Sequence, residues 1–265
     1  MSIFELVTTS LLIISHYPAA PGAFNSLRRL LAQLKPAGAD VIVICNGPFS
    51  DRDRTSLKRK DLCREVLTRP NIGMNIGAWK HGLQAYPGYK FYHLLQDESV
   101  ILSSQFLQAY EAILSRKNVG LVGDSLNTKW NKSWENLKGS SLDYRICIEP
   151  GNYLDRSAAA IVNSKKSVNR VNYYRKKLTQ WGCAEGRSAI HVRALNWSFS
   201  SKTLEKIDFP VGFSKHECIA AEIYVSRFLI SQGLKIVQSS RQPFHYIGHS
   251  EWMNPLDPQR KITHT

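Results

Sequence analysis

The sequence predicts an α/β fold in one domain, with a Rossmann-like, mostly parallel central sheet flanked by helices. Three observations lead there. The chain opens strand–helix–strand, with an apolar, β-branched run at Leu6–Ser15, an amphipathic stretch at Phe24–Leu34 and a second apolar run at Asp40–Cys45. Strand and helix patterns keep alternating as far as Gly123, which is how parallel strands joined by crossover helices read. The run Phe91–Gln96 then ends abruptly in two adjacent carboxylates, Asp97 and Glu98. Open α/β sheets place their ligands at the C-terminal edge of such strands.

Each element has its own signal. Leu6–Ser15 and Asp40–Cys45 are continuous apolar runs of the kind buried on both faces of a sheet. Tyr17-Pro-Ala-Ala-Pro-Gly22 is a turn-rich loop. Phe24, Leu27, Leu30, Leu31 and Leu34 recur at helical spacing, with Asn25, Arg28, Arg29 and Gln33 opposite, until Pro36 and Gly38 stop the helix. Asp51–Arg64 is charged and helical, Glu65–Thr68 a short strand, Ala78–Ala85 a short helix and Phe91–Gln96 a strand. A helix over Ser104–Arg116 and a strand at Val119–Gly123 follow. The second half is less regular. Asp124–Leu142 reads as a long loop, Ser157–Val162 as a strand and Ser164–Thr179 as a basic helix. Ser214–Gln232 is a helix closed by Gly233, Leu234–Val237 a strand, and the last 25 residues an irregular tail.

Composition narrows the class. A chain of 265 residues can bury a full core in one α/β domain. Apolar and charged contents of 43% and 21% are those of a soluble globular protein. No run approaches the roughly 20 apolar residues of a membrane span. Leu11-Leu-Ile-Ile14 lacks a basic n-region and a cleavage site, so it reads as core and not as a signal peptide. The five cysteines are scattered without CxxC spacing, which fits a reduced, cytoplasmic setting and not a zinc site or disulfide framework. The net charge of +14 points to an anionic partner. Basic clusters lie at Arg52–Arg64, Lys165–Lys177 and Arg260-Lys261. There is no nucleic-acid motif, and no nucleic-acid partner is expected. A basic face resting on anionic lipid at the inner face of the cell membrane suits a lipid-linked acceptor.

Several residues invite chemistry. Asp97 and Glu98 offer hard oxygen ligands to a divalent cation such as manganese or magnesium, which in turn can hold a diphosphate. They could equally cap the following turn. Asn71, Gly73, Asn75 and Gly77 form a small-residue loop ahead of a short helix. Glycine lets a backbone approach a ligand closely, and a helix N-terminus aims amides at an anion. Trp130, Trp134, Trp181 and Trp197 are either a sugar platform or core anchors.

In the order Asn71-Ile-Gly73-Met-Asn75-Ile-Gly77 and then Gln96-Asp97-Glu98, the chain resembles the nucleotide-sugar-dependent glycosyltransferases of the GT-A fold, especially the family-two group. The resemblance covers residues 6–123. Its acidic motif reads Gln-Asp-Glu in place of Asp-x-Asp, with the last acid at Glu98. The resemblance implies a nucleotide-sugar-binding half over 1–123 and an acceptor-side half over 124–265. It implies that Ser15-His16-Tyr17 and Asn46 hold the base and ribose, with the Asn71–Gly77 loop and Asp97 on the donor. A late histidine, His245 or its neighbour His249, would reach the metal or diphosphate. It also implies a carboxylate base in a late helix. Counting back from Gly233, that base falls at Glu222, on an apolar stretch among Ile219, Ala220, Ala221, Ile223 and Val225. Glu217 competes, although Ser214-Lys-His-Glu217 has capping-box spacing. The expected activity is sugar transfer from a nucleotide diphosphate to a glycan or lipid-linked hydroxyl acceptor, with inversion by a single direct displacement as the preferred mechanism. Two readings compete with it. A sugar nucleotidyltransferase wants a Gly-rich, basic loop after the first strand, where this chain has His16-Tyr-Pro-Ala-Ala-Pro-Gly22. A non-catalytic basic module for RNA or anionic glycan is favoured by charge and disfavoured by the acidic strand end.

Overall fold

The computed structural model describes residues 9–148 and 166–249. Its first half runs β1 (Ser10–His16), α1 (Ala23–Leu34), β2 (Asp40–Asn46), α2 (Asp51–Arg59), β3 (Glu65–Arg69), α3 (Met74–Ala85), β4 (Phe91–Gln96), β5 (Ser99–Ile101), α4 (Phe106–Leu114) and β6 (Val119–Gly123). The second half adds α5 (Trp134–Leu137), β7 (Arg145–Ile148), β8 (Lys166–Asn169), α6 (Arg170–Gln180), β9 (Asn196–Ser200), α7 (Ser201–Leu204), α8 (Lys215–Ser231), β10 (Lys235–Gln238) and β11 (Ile247–His249).

Seven strands form the central sheet in the order β10-β6-β9-β4-β1-β2-β3. β1 pairs in parallel with β2 and β4, β2 with β3, and β6 with β10. Only β9 runs against its neighbours, antiparallel to β4 and β6. Alternate residues of a strand face opposite sides. Leu11, Ile13, Ile42 and Ile44 therefore pack with Trp79 of α3 and the buried face of α8. Leu12, Ile14, Val43 and Cys45 pack with α1 and α4. The β1, β2 and β4 strands are buried along their lengths because both faces are covered.

The expected α/β architecture is present, and four local expectations are corrected. Asn196–Ser200 is a central strand that the sequence reading passed over. The Asp124–Leu142 segment contains a short 3-10 turn at Thr128–Trp130 and the single-turn helix α5. The basic helix starts at Arg170, because Lys166–Asn169 pairs with Arg145–Ile148 as a hairpin. The expected tail is not wholly irregular, because β11 pairs antiparallel with β5. The strand expected at Ser157–Val162 and the cluster at Arg260-Lys261 lie outside the described residues. No described helix is long and apolar enough to cross a membrane. Cys45, Cys63 and Cys183 are free thiols.

Candidate functional site at the C-terminal edge of the sheet

The parallel strands end together, and their last residues meet. β1 delivers Ser15 and His16, β2 delivers Asn46, and β4 is followed by Asp97 and Glu98. His16 is buried, and its Nδ1 lies 2.5 Å from Asp97 Oδ2. The Tyr17 amide donates to the same oxygen at 3.4 Å. The Asp97 amide donates to the Ser15 carbonyl. Burial pushes the Asp97 carboxyl up, and the His16 hydrogen bond pulls it back down. Glu98 lies 3.1 Å, through Oε2, from His249 Nε2. The hydrogen bond to His249 holds the Glu98 carboxyl below the ordinary glutamate range, against partial burial. β11 makes this contact by seating His249 opposite Ser99. His245 is exposed and packs edge-on against Tyr246. Of the two late histidines, His249 is the one that reaches an acid.

The Asn71–Gly77 loop is tied down by strand ends. Ser15 Oγ donates to Asn75 Oδ1 at 2.7 Å. Asn46 Nδ2 donates to the Met74 carbonyl, and Asn46 Oδ1 accepts from Arg69. Arg69 also donates to the Ile72 carbonyl. Asn46 thus ties the loop, through Met74, to the end of β3, through Arg69. Gly73 caps α3 at φ +80°, and a Cβ there would strike Val211. A Cβ on Gly77 would run into the Ile72 carbonyl. These two glycines are required by geometry and not merely tolerated. Asn71 Oδ1 is buried without a hydrogen-bond partner.

Beyond the acids lies a pocket of about 280 Å³, lined by Gln96, Trp130, Arg170, Arg193, Glu222 and His249 among others. Glu222 Oε1 accepts from the Ala194 amide at 2.7 Å and lies 3.8 Å from His191 Nε2. Burial pushes the His191 imidazole down, against the pull of Glu222, and Asn127 contacts its Nε2 at 3.2 Å. Arg193 is partly buried, and burial pushes its guanidinium down. The pocket therefore joins Glu222 to the residue before Asp97 and to the histidine on Glu98.

Glu217 sits elsewhere. Ser214 Oγ accepts from the Glu217 amide at 3.2 Å, and Glu217 Oε2 accepts from the Phe213 amide at 2.6 Å. Lys177 pairs with the carboxylate. Burial works against this charge, but Lys177 and the Phe213 amide hold the Glu217 carboxyl below its ordinary range. Glu217 closes the capping box of α8. Trp197 is core, Trp134 donates to the Glu185 carbonyl, and Trp130 reaches the pocket. Arg170, His191 and Arg193 were not read from the sequence. The only signal was a His-x-Arg pair at His191–Arg193 just before an alternating run.

No protein-family model matches the chain, and no curated protein is similar to it in sequence. Solved structures share its fold. A mannosyltransferase from Pyrobaculum calidifontis, in complex with GDP-Man and Mn2+, is 14% identical with a TM-score of 0.50, over 86% of this chain and 54% of that one. This chain thus spans about half the length of that enzyme. Glucosyl-3-phosphoglycerate synthase from Mycobacterium tuberculosis, in complex with Mn2+, UDP and glucosyl-3-phosphoglycerate, is 11% identical with a TM-score of 0.50, over 92% of this chain and 72% of that one. The fold is that of GT-A-type nucleotide-sugar glycosyltransferases.

Proposed function

We propose that this protein is a glycosyltransferase that moves a sugar from a nucleotide-diphosphate donor to a hydroxyl acceptor. The observation that carries the reading is the pair Asp97–Glu98 at the C-terminal edge of a GT-A-like sheet, beside a pocket that holds a third carboxylate, Glu222. The glycosyltransferases that share the fold were solved with nucleotides and Mn2+.

A divalent ion fits the residues at this edge. Glu98 Oε2 and His249 Nε2 are 3.1 Å apart. Adjacent ligands of an octahedral ion, each about 2.1 Å from it, stand about 3 Å apart. Among the described residues no three metal-binding side chains converge, which suits an ion completed by substrate phosphates. When bound, manganese or magnesium would supply charge neutralisation for the departing diphosphate. The chain's own residues do the rest. His16 and the Tyr17 amide orient Asp97 toward the donor. The Asn71–Gly77 loop, braced by Ser15 and Asn46, presents backbone to the nucleotide. Glu222 takes the proton from the acceptor hydroxyl, with its other duty, the Ala194 amide, fixing its direction. The displacement is then a direct one with inversion. The basic surface favours an anionic membrane face and a lipid-linked or polysaccharide acceptor.

Nucleotide release tests the reading. UDP or GDP should raise the melting temperature, more so with Mn2+. One of a panel of UDP- and GDP-sugars should release nucleotide, and Glu98→Gln should abolish release in a folded protein. The reading falls if no nucleotide binds with or without metal and no donor is turned over.

A further inference from the structure

We propose that the pocket beside Glu222 receives an anionic group of the acceptor, a phosphate or carboxylate carried by the same molecule that offers the hydroxyl. The inference rests on the glycosyltransferase reading for the word acceptor, but its physical basis is independent.

Two arginines and one carboxylate face this pocket. Arg175 and Lys177 show the paired alternative: Arg175 meets Glu135 and Glu185, and Lys177 meets Glu217. Arg170 and Arg193 make no such ion pair among the described residues. Arg227, buried beside Cys183, is a further cation without an ion pair among the described residues, but it does not line this pocket. Glu222, the carboxylate lining the same space, gives Oε1 to the Ala194 amide. Arg193 has a buried Nε without a hydrogen-bond partner, and its Nη2 reaches only Asn127 Oδ1 at 3.5 Å. Glu222 is near enough to offset part of the cost of taking the Arg193 guanidinium out of water, but it does not pair with it; an anion in the pocket would offset the rest.

Arg170 is held ready for one. Its guanidinium carbon sits 4.9 Å from the Trp130 ring centre, 4.7 Å from Tyr144 and 5.5 Å from Tyr174. Its Nε donates to Tyr174 Oη at 3.2 Å. A planar fork fixed in this way loses little freedom on binding, and phosphate and carboxylate are the groups a fork matches.

The donor diphosphate is the competing anion. Its candidate site is at Glu98, which does not line this pocket and pairs with His249 at the pocket's edge. Arg170 and Arg193 line the pocket itself, with Glu222 and Ile219. The two assignments separate kinetically.

The experiment uses the full chain with its active donor and matched acceptors: glycerol, glycerate and glycerol 3-phosphate in solution, and vesicles of phosphatidylglycerol against phosphatidylcholine. Anionic members should be preferred over neutral ones. A preference confined to vesicles identifies a headgroup as the source, and a preference among soluble acceptors identifies a free anion. Arg193→Met and Arg170→Gln should each raise the acceptor KM about ten- to a hundredfold while the donor KM holds. Arg170→Lys should recover part of the loss. Melting temperature and nucleotide affinity serve as folding controls. A rise in donor KM with acceptor KM unchanged would hand both arginines to the diphosphate and overturn the proposal. So would equal use of glycerol and glycerol 3-phosphate by an enzyme that turns over donor normally. If no donor is turned over at all, glycerol 3-phosphate alone should still raise the melting temperature in an Arg193-dependent way; absence of that shift also overturns it.

Discussion

The two ends of β4 open on two cavities of different character. At the N-terminal end, a space of about 480 Å³ is bounded by Leu83, Pro87, Tyr89, Tyr92, Leu204 and Phe209. Its Lys80–Asp208 ion pair has an aspartate 87% exposed, which water already serves. At the C-terminal end, the smaller space of about 280 Å³ holds Glu222, Arg170, Arg193 and His249. Behind it stand the buried His16 and Asp97. Volume and chemistry thus part company. Buried titratable groups gather where the parallel strands end, whereas the larger cavity mixes apolar side chains with the solvated charges Lys80, Glu205 and Asp208.

Substitutions can break this contrast or sharpen it. Glu222→Gln should lower turnover by about 10²–10⁴-fold, measured as nucleotide release, with donor affinity retained. Leu83→Ala at the opposite cavity should leave turnover unchanged. If the two variants behave alike, the contrast is false. Phe209→Ala removes a buried ring stacked on Trp197. It should cost about 3–5 kcal/mol of stability in denaturant titration and still leave the residual folded protein active at low temperature. Gly77→Ala forces a methyl against the Ile72 carbonyl and should cost about 1–3 kcal/mol. Unlike Phe209→Ala, it should also weaken nucleotide binding, because the loop moves. The smallest effect belongs to the α8 cap. Ser214→Ala should cost about 1 kcal/mol with kcat unchanged. Glu217 has a lowered carboxyl pKa, so its contribution is present at neutral pH and fades as pH falls through the acid range. Glu217→Gln should therefore flatten the acid limb of the stability curve.

Much of the strand-end half of the candidate site was legible in the sequence because its signals are local. Continuous runs such as Asp40–Cys45 have one comfortable place, a strand covered on both faces. Asp97 and Glu98 declared themselves by ending such a run. Gly73 and Gly77 read as loop glycines, although the clashes that require them belong to Val211 and Ile72. What was hidden is non-local. β9 alternates Asn196, Trp197, Ser198, Phe199, and alternation ordinarily means one wet face. Here both faces are buried, because Asn196 Nδ2 donates to Tyr110 Oη and Ser198 meets His93. No spacing rule announces partners 86 and 105 residues away. His249 posed the same difficulty. A strand of three residues is too short to show a period, yet its pairing with β5 decides which histidine meets Glu98. The pocket arginines arrive on α6 and on the segment before β9, so only the assembled sheet unites them.

The reversed strand has a consequence for synthesis. β4 and β6 are made early, but they have no hydrogen-bonded contact with each other until β9 fills the gap between them. A ribosome that has emitted Val119–Gly123 must still deliver more than seventy residues before Asn196–Ser200 emerges. Chains generally fold from the N-terminus as they appear. For that interval the apolar Phe91–Gln96 strand carries a row of open amides and carbonyls, the template on which strands of other chains add. The nascent protein is therefore most exposed to mispairing, and most in need of a chaperone, in the window that β9 closes.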